Sequence, residues 1–313
     1  MAGALGAPVG SASASVSVTA DRVVVATDGA RATITRRPFR IEVADGSGRA
    51  ALSEIANSGQ GSVLVPPLPD PLPAGFRDYD VPTLYAPLQF LVGAARDIQF
   101  PAGPWVGNEL LGGGGGGMYS ARDVVAVERS GQGARLTVGT SDPTGRQLVV
   151  TVAPSRSTAI RVSVEATPSD GVTALGDSFA SAASEAFHGF GGRHNGVDEH
   201  GQTFYNWIEQ ENSSAGPLQA IPDVLPGTQS ARYMFPNGPT AGYHVQSQFI
   251  SSRRYGFLLD RDELSRWHMA SDRADAWQVT AATPSISYYV APGEPARAVQ
   301  TITALGGRQP VAP

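Results

Sequence analysis

The sequence predicts an all-β protein, a large two-sheet antiparallel sandwich with one short C-terminal helix. Three observations carry the prediction. Short runs in which apolar and polar residues alternate recur along the chain, as strands with one buried face require. Turn sequences such as Asp28-Gly29, Asp45-Gly46 and Asp142-Pro143-Thr144-Gly145 punctuate those runs. Helical periodicity is confined to the residues after Gly293.

Composition narrows the function. A formal charge of -5 spread over 313 residues gives no clustered positive surface of the kind that phosphate backbones demand, so no nucleic-acid partner is expected. The positive charge is all Arg. There is no Cys, hence no disulfide frame and no thiolate nucleophile or metal ligand. No apolar run approaches the roughly 20 residues of a membrane helix, so no membrane partner is expected. The N-terminus lacks the basic start and apolar core of a signal peptide, and the compartment stays open between cytoplasm and exterior.

Taken in order, residues 1–15 are small and read as a flexible tail. Strands follow at Val23 to Ala26, Arg31 to Thr35 and Phe39 to Val43, with Asp28-Gly29 as a tight hairpin: a β-meander. Prolines at 66, 67, 69, 71, 73, 82 and 87 cannot donate to a ladder and predict an extended surface excursion. The six glycines 112–117 read as a mobile loop. Strands resume at Val124 to Glu128, Arg135 to Thr140, Gln147 to Ala153 and Ala159 to Glu165. Phe187 to Gly201, FHGFGGRHNGVDEHG, carries four glycines before its last residue and predicts a compact run of turns. Six more strands are expected, at Thr203 to Trp207, Tyr243 to Ile250, Tyr255 to Asp260, Ser265 to Ala270, Trp277 to Ala281 and Ser285 to Val290. At the end Glu294-Pro295 opens a helix, with Val299, Ile302 and Leu305 as its apolar stripe and Gly306 as its stop. The expected organisation is a tail at 1–15, a sandwich at 16–293, and a helix with an exit segment at 294–313.

Four motifs in sequence order resemble the N-terminal domain of family 31 glycoside hydrolases, the α-glucosidase, α-xylosidase and sulfoquinovosidase family. Its run F-Y-G-F/L-G-E-R-x-x-x-L-D-x-R-G is matched by Phe187, Gly189, Phe190, Gly191, Arg193, Asp198 and Gly201. Phe249 to Asp260, FISSRRYGFLLD, is similar to F-x-S-S-R-G-Y-G-V-x-x-D. Ser287 to Gly293 resembles D-Y-Y-x-x-x-G, and Leu305 to Pro310 resembles L-T-G-R-P-P. The similarity covers about residues 185–313. The chain departs from the pattern at His188, Gly192 and His200, which stand where the family has an aromatic, a Glu and an Arg.

The resemblance implies a galactose-mutarotase-like sandwich that precedes a (β/α)8 barrel in which both catalytic carboxylates lie. This chain is then expected to stop where that barrel begins. It would be a non-catalytic front domain of a retaining α-glycosidase, with the barrel of the same parent chain and, through it, an α-glycoside as partners. The alternative is a free-standing carbohydrate-binding or mutarotase-like module.

The residues themselves offer several chemistries. A retaining pair needs two carboxyls about 5 to 5.5 Å apart, and Asp198, Glu199, Glu209 and Glu211 cluster in sequence, but acids in Gly-rich turns are usually turn formers. His188, His194 and His200 match no metal-ligand spacing, so no metal and no cofactor are expected. Glu209 or Glu211 with His244 would be the pair for a mutarotase. The long polar segment that begins at Asn206 is the better candidate. By the resemblance, Trp207 offers an apolar face, and Glu209, Gln210 and Glu211 contact substrate hydroxyls or position barrel side chains. Arg193 is expected to ion-pair, with Asp198 as the candidate partner.

Overall fold

In a computed structural model, the structure describes residues 14–57, 60–61, 83–95, 113–156, 158–193, 196–206 and 242–307. The first sheet is a five-stranded meander: β1 (Ser15–Val18), β2 (Arg22–Ala26), β3 (Ala30–Arg36), β4 (Phe39–Asp45) and β5 (Ala50–Ser53). Two of its hairpins, β2 to β3 and β4 to β5, are at the Asp-Gly pairs, with the Thr27 amide donating to the Ala30 carbonyl at 2.8 Å. Asp45 Oδ1 takes the Ser47 and Arg49 amides and so closes β4.

An eight-stranded sheet forms the long layer. In spatial order it holds β10 (Ala121–Ser130), β11 (Gly133–Thr140), β12 (Gln147–Ser155), β13 (Ala159–Thr167), β21 (Ser285–Pro292), β18 (Tyr255–Leu259), β17 (Gly242–Ser251) and β15 (Phe187–Arg193). A six-stranded sheet holds β16 (Gln202–Asn206), β19 (Ser265–Met269), β20 (Ala276–Ala281), β14 (Val172–Ala180), β8 (Phe90–Ala95) and β9 (Gly113–Tyr119). β6 (Gln60–Gly61) and β7 (Thr83–Leu84) make a small pair. The pairings between these strands are antiparallel.

The five- and six-stranded sheets together cover one face of the eight-stranded sheet. β2, β3 and β4 pack on β12, β13 and β10, with Val23, Val25, Ile34, Ile41 and Val43 meeting Leu136, Val150 and Val162 in one apolar cluster. At the other end the packing is aromatic. Phe249 and Phe257 lie 5.2 and 5.1 Å from Trp277, and Phe190 lies 5.0 Å from Trp267, mostly edge to face. Among the described residues an isolated bridge joins the two covering sheets, Glu54 opposite Phe179, where the Ile55 amide donates to the Ser178 carbonyl at 2.9 Å.

Three expectations are corrected. The glycines 113–117 are part of a strand, β9, whose ladder with β8 supplies the order that absent side chains cannot signal. The Gly-rich motif is also largely a strand, β15, bent by register shifts against β17. The helix, α1 (Pro295–Gly306), buries Ala298, Thr301 and Ile302, while Val299 is 45% exposed. Its inner side seats Ile302 against Gly256 and Ile250. Strands at Ala50–Ser53, Phe90–Ala95 and Val172–Ala180 add to those expected from the sequence.

Candidate functional site

β15 is built by close approach. Gly189, Phe190 and Gly191 all have positive φ (151°, 66° and 90°), and a Cβ on Gly191 would stand 2.0 Å from the His244 carbonyl oxygen. Glycine is therefore required where β15 meets β17. The twist turns Phe187 and Phe190, both fully buried, into the aromatic core. Asp198 then caps the turn: its Oδ1 accepts from the amides of Phe187 at 2.9 Å and His200 at 3.0 Å. Gly201 follows at φ 78° and donates its amide to the Met269 carbonyl.

Arg193 pairs with Glu199, not Asp198. Nε to Oε1 is 3.6 Å, both side chains are buried, and the guanidinium lies 3.8 Å over the Phe204 ring. This plugs the edge of the sandwich where β15 and β16 face each other. Beside it Asn206 Nδ2 donates to Ser247 Oγ at 3.0 Å, joining β16 to β17. The same edge leads into residues 207–241. Trp207, Glu209, Gln210 and Glu211 fall in that segment, outside the described residues; His194 also lies outside them.

The remaining histidines are scattered. His188 Nδ1 meets the Val197 carbonyl at 2.9 Å, His200 stacks on Phe187, and His244 contacts Gln246 on the exposed side of β17. Among the described residues no three His, Asp or Glu side chains are grouped to hold a metal ion. Arg253 Nη1 donates to the Ala180 carbonyl at 3.1 Å, and Arg254 pairs with Glu294 at 2.6 Å at the start of α1. Below them Glu185 is a buried carboxyl served by Ser251 Oγ at 2.5 Å and the Tyr255 hydroxyl at 2.7 Å.

One polar constellation escaped sequence reasoning. On the face of β19 opposite Trp267 stand Arg266 and His268, both buried. His268 Nδ1 lies 3.6 Å from Asp272, which also accepts from the Tyr85 hydroxyl. Thr203 Oγ1 is 2.6 Å from Ser271 Oγ and 3.4 Å from His268 Nδ1. Burial alone would raise the Asp272 carboxyl, but His268 and the Tyr85 hydroxyl outweigh it and hold the group below the usual carboxylate range. The Tyr85 hydroxyl is pushed well up by burial and by the Asp272 charge. With Gln278 Nε2 donating to the Leu84 carbonyl at 2.8 Å, the constellation fastens the Leu84–Leu88 segment onto the sheet. The sequence hid it because Arg266 and His268 alternate with Trp267 and Met269 as the wet face of a strand would, whereas Ser265–Met269 is buried on both faces.

Comparison with known proteins agrees with this geometry at the level of fold. No protein-family model matches the sequence, and no curated protein is similar to it. Among solved structures, a family 31 sulfoquinovosidase from E. rectale, in complex with an aza-sugar inhibitor, superposes with a TM-score of 0.52 at 11% identity, over 82% of this chain and 34% of that one. A cycloalternan-forming enzyme from Listeria monocytogenes matches 100% of this chain and 18% of its own at a TM-score of 0.48 and 15% identity. A family 31 α-xylosidase from Xanthomonas citri matches at 0.31 and 13%, over 82% and 14%. The chain thus spans between 14% and 34% of these enzymes' lengths. Its all-β sandwich fold is one found within part of a family 31 glycoside hydrolase.

Proposed function

We propose that this chain is the accessory β-sandwich domain of a retaining family 31 α-glycosidase, buttressing the catalytic barrel and lending the segment beginning at Trp207 to the substrate pocket. The observation that carries the reading is the sandwich shared with the E. rectale sulfoquinovosidase over 82% of this chain but 34% of the enzyme. The four motifs support it, and three of them lie in the core of the described structure. Phe187 and Phe190, then Phe249, Tyr255 and Phe257, then Tyr288 and Val290 interlock as one aromatic and apolar cluster.

The edge sealed by Arg193, Glu199 and Asn206 is a rigid base from which a pocket-lining segment would start, and precise sites are best carried on such scaffolds. Truncating Glu209, Gln210 and Glu211 together in the enzyme that carries this domain is expected to raise KM or lower kcat. Unchanged kinetics would remove the pocket role. Calorimetry separates the free-standing alternative: a pocket-lending domain binds mono- and oligosaccharides weakly or not at all by itself, whereas a carbohydrate-binding module binds them unaided.

A further inference from the structure

Two carboxyl groups occupy a place where an apolar core should close. Glu54 and Asp177 are both fully buried. Glu54 stands opposite Phe179 in the bridge that joins the five- and six-stranded sheets. Paired residues direct their side chains to one face, and Asp177, two residues before Phe179 on β14, points the same way. That face is the interior, since Phe179 packs 4.4 Å from Trp277 and 5.8 Å from Tyr288. The two carboxyls are therefore diagonal neighbours inside the core.

Their partners come from all three large sheets. The Ile41 amide on β4 donates to Glu54 Oε2. Asp177 Oδ1 accepts from the amides of Leu88 at 3.1 Å and Ser178 at 2.8 Å, and Oδ2 from the Tyr288 hydroxyl on β21 at 2.8 Å. The cation that acts on Glu54 is Arg40, but its Nε is bound to the Glu54 backbone carbonyl at 2.6 Å. Asp177 has the richer donor set and is the natural home of the negative charge. Two full charges without a buried cation between them would be very costly here.

We propose that Glu54 and Asp177 hold one proton between them at neutral pH and act as a pH-operated clasp at the point where the three sheets meet. With the proton present, the pair ties β4, β5, β14 and β21 together; its loss leaves two carboxylates side by side and parts the five-stranded sheet from the six-stranded one. Burial first, and then the Asp177 charge, push the Glu54 carboxyl far up, while burial raises Asp177 to about 6 despite its donors. The facing groups that set the balance are Asp177 on β14, Tyr288 on β21 and Arg40 on β4. Both carboxyls are raised above their unfolded values, so the stability they contribute is complete below the unfolded range near ~4 and is lost as pH rises through the folded values.

The test compares wild type with Glu54→Gln, whose amide keeps a donor for Asp177 and an acceptor for Ile41 but has no proton to lose. Denaturant unfolding between about pH 5 and pH 8 should show the wild-type unfolding constant rising relative to E54Q by up to about tenfold per pH unit. Parallel pH curves would overturn the proposal. Should E54Q fail to fold, carbon-13 spectra of wild type labelled in its glutamate carboxyls decide the matter. One glutamate still protonated at pH 7 upholds the clasp, and every glutamate titrating near its ordinary ~4.3 sinks it.

Discussion

Replacing Gly191 with Ala and, separately, Gly201 with Ala separates two costs that usually come together. Both glycines have positive φ, 90° and 78°. Around Gly201 an added Cβ meets nothing within 4 Å, whereas at Gly191 it would lie 2.0 Å from the His244 carbonyl oxygen and 3.1 Å from the Gln246 amide nitrogen. The shared backbone cost is roughly 1–2 kcal/mol. At Gly191 β15 must also move off β17, giving up ladder hydrogen bonds worth about 1 kcal/mol each, so the total is about 3–5 kcal/mol. With an unfolding entropy near ~2 cal/mol/K per residue, these losses correspond to Tm decreases of about 2 °C for G201A and about 6 °C for G191A. Thermal unfolding followed by near-UV and far-UV circular dichroism reads both. Equal losses in the two variants would refute the reasoning that close approach, and not backbone conformation alone, dictates the glycine at 191.

Two further predictions rest on buried charge. Arg193→Met should destabilise by about 3–5 kcal/mol, because Glu199 is left charged and buried; adding Glu199→Gln should recover part of the loss, and a double variant no better than R193M would show that the pair does not act as a unit. Asp272, held low by His268 and Tyr85, gives stability that is present above its unfolded pKa of ~3.9 and lost as pH falls through the lower folded value. Urea midpoints of wild type and Asp272→Asn should therefore converge below about pH 4, and a constant gap would count against that interaction.

The sequence was legible where one physical signal dominated. In β2 to β4 and in β11 to β13, one face is buried and the other wetter, so alternation and turn residues mark each strand. β14 is buried on both faces over most of its length and carries Gly176 and Asp177, so no period survives. β9 is five glycines and two larger residues, and its strand conformation comes from its partner. In α1 the apolar count pointed to Val299, but the surface it meets on β18 is reached by Ala298, Thr301 and Ile302. Buried polar residues were the least legible. Nothing in the local sequence distinguishes Glu54, Asp177 or His268 from surface groups, because their burial is decided by strands far away in the chain. The departures at Gly192 and His200 remove one carboxylate and one guanidinium, which leaves the charge balance of the motif unchanged, and the buried pair observed there is Arg193 with Glu199.

The central claim, that this sandwich supports catalysis performed elsewhere, is tested most directly by assaying the purified 313-residue chain against aryl α-glycosides. The account predicts no turnover above the uncatalysed rate. Hydrolysis that co-purifies with the chain and persists through rigorous purification would contradict it.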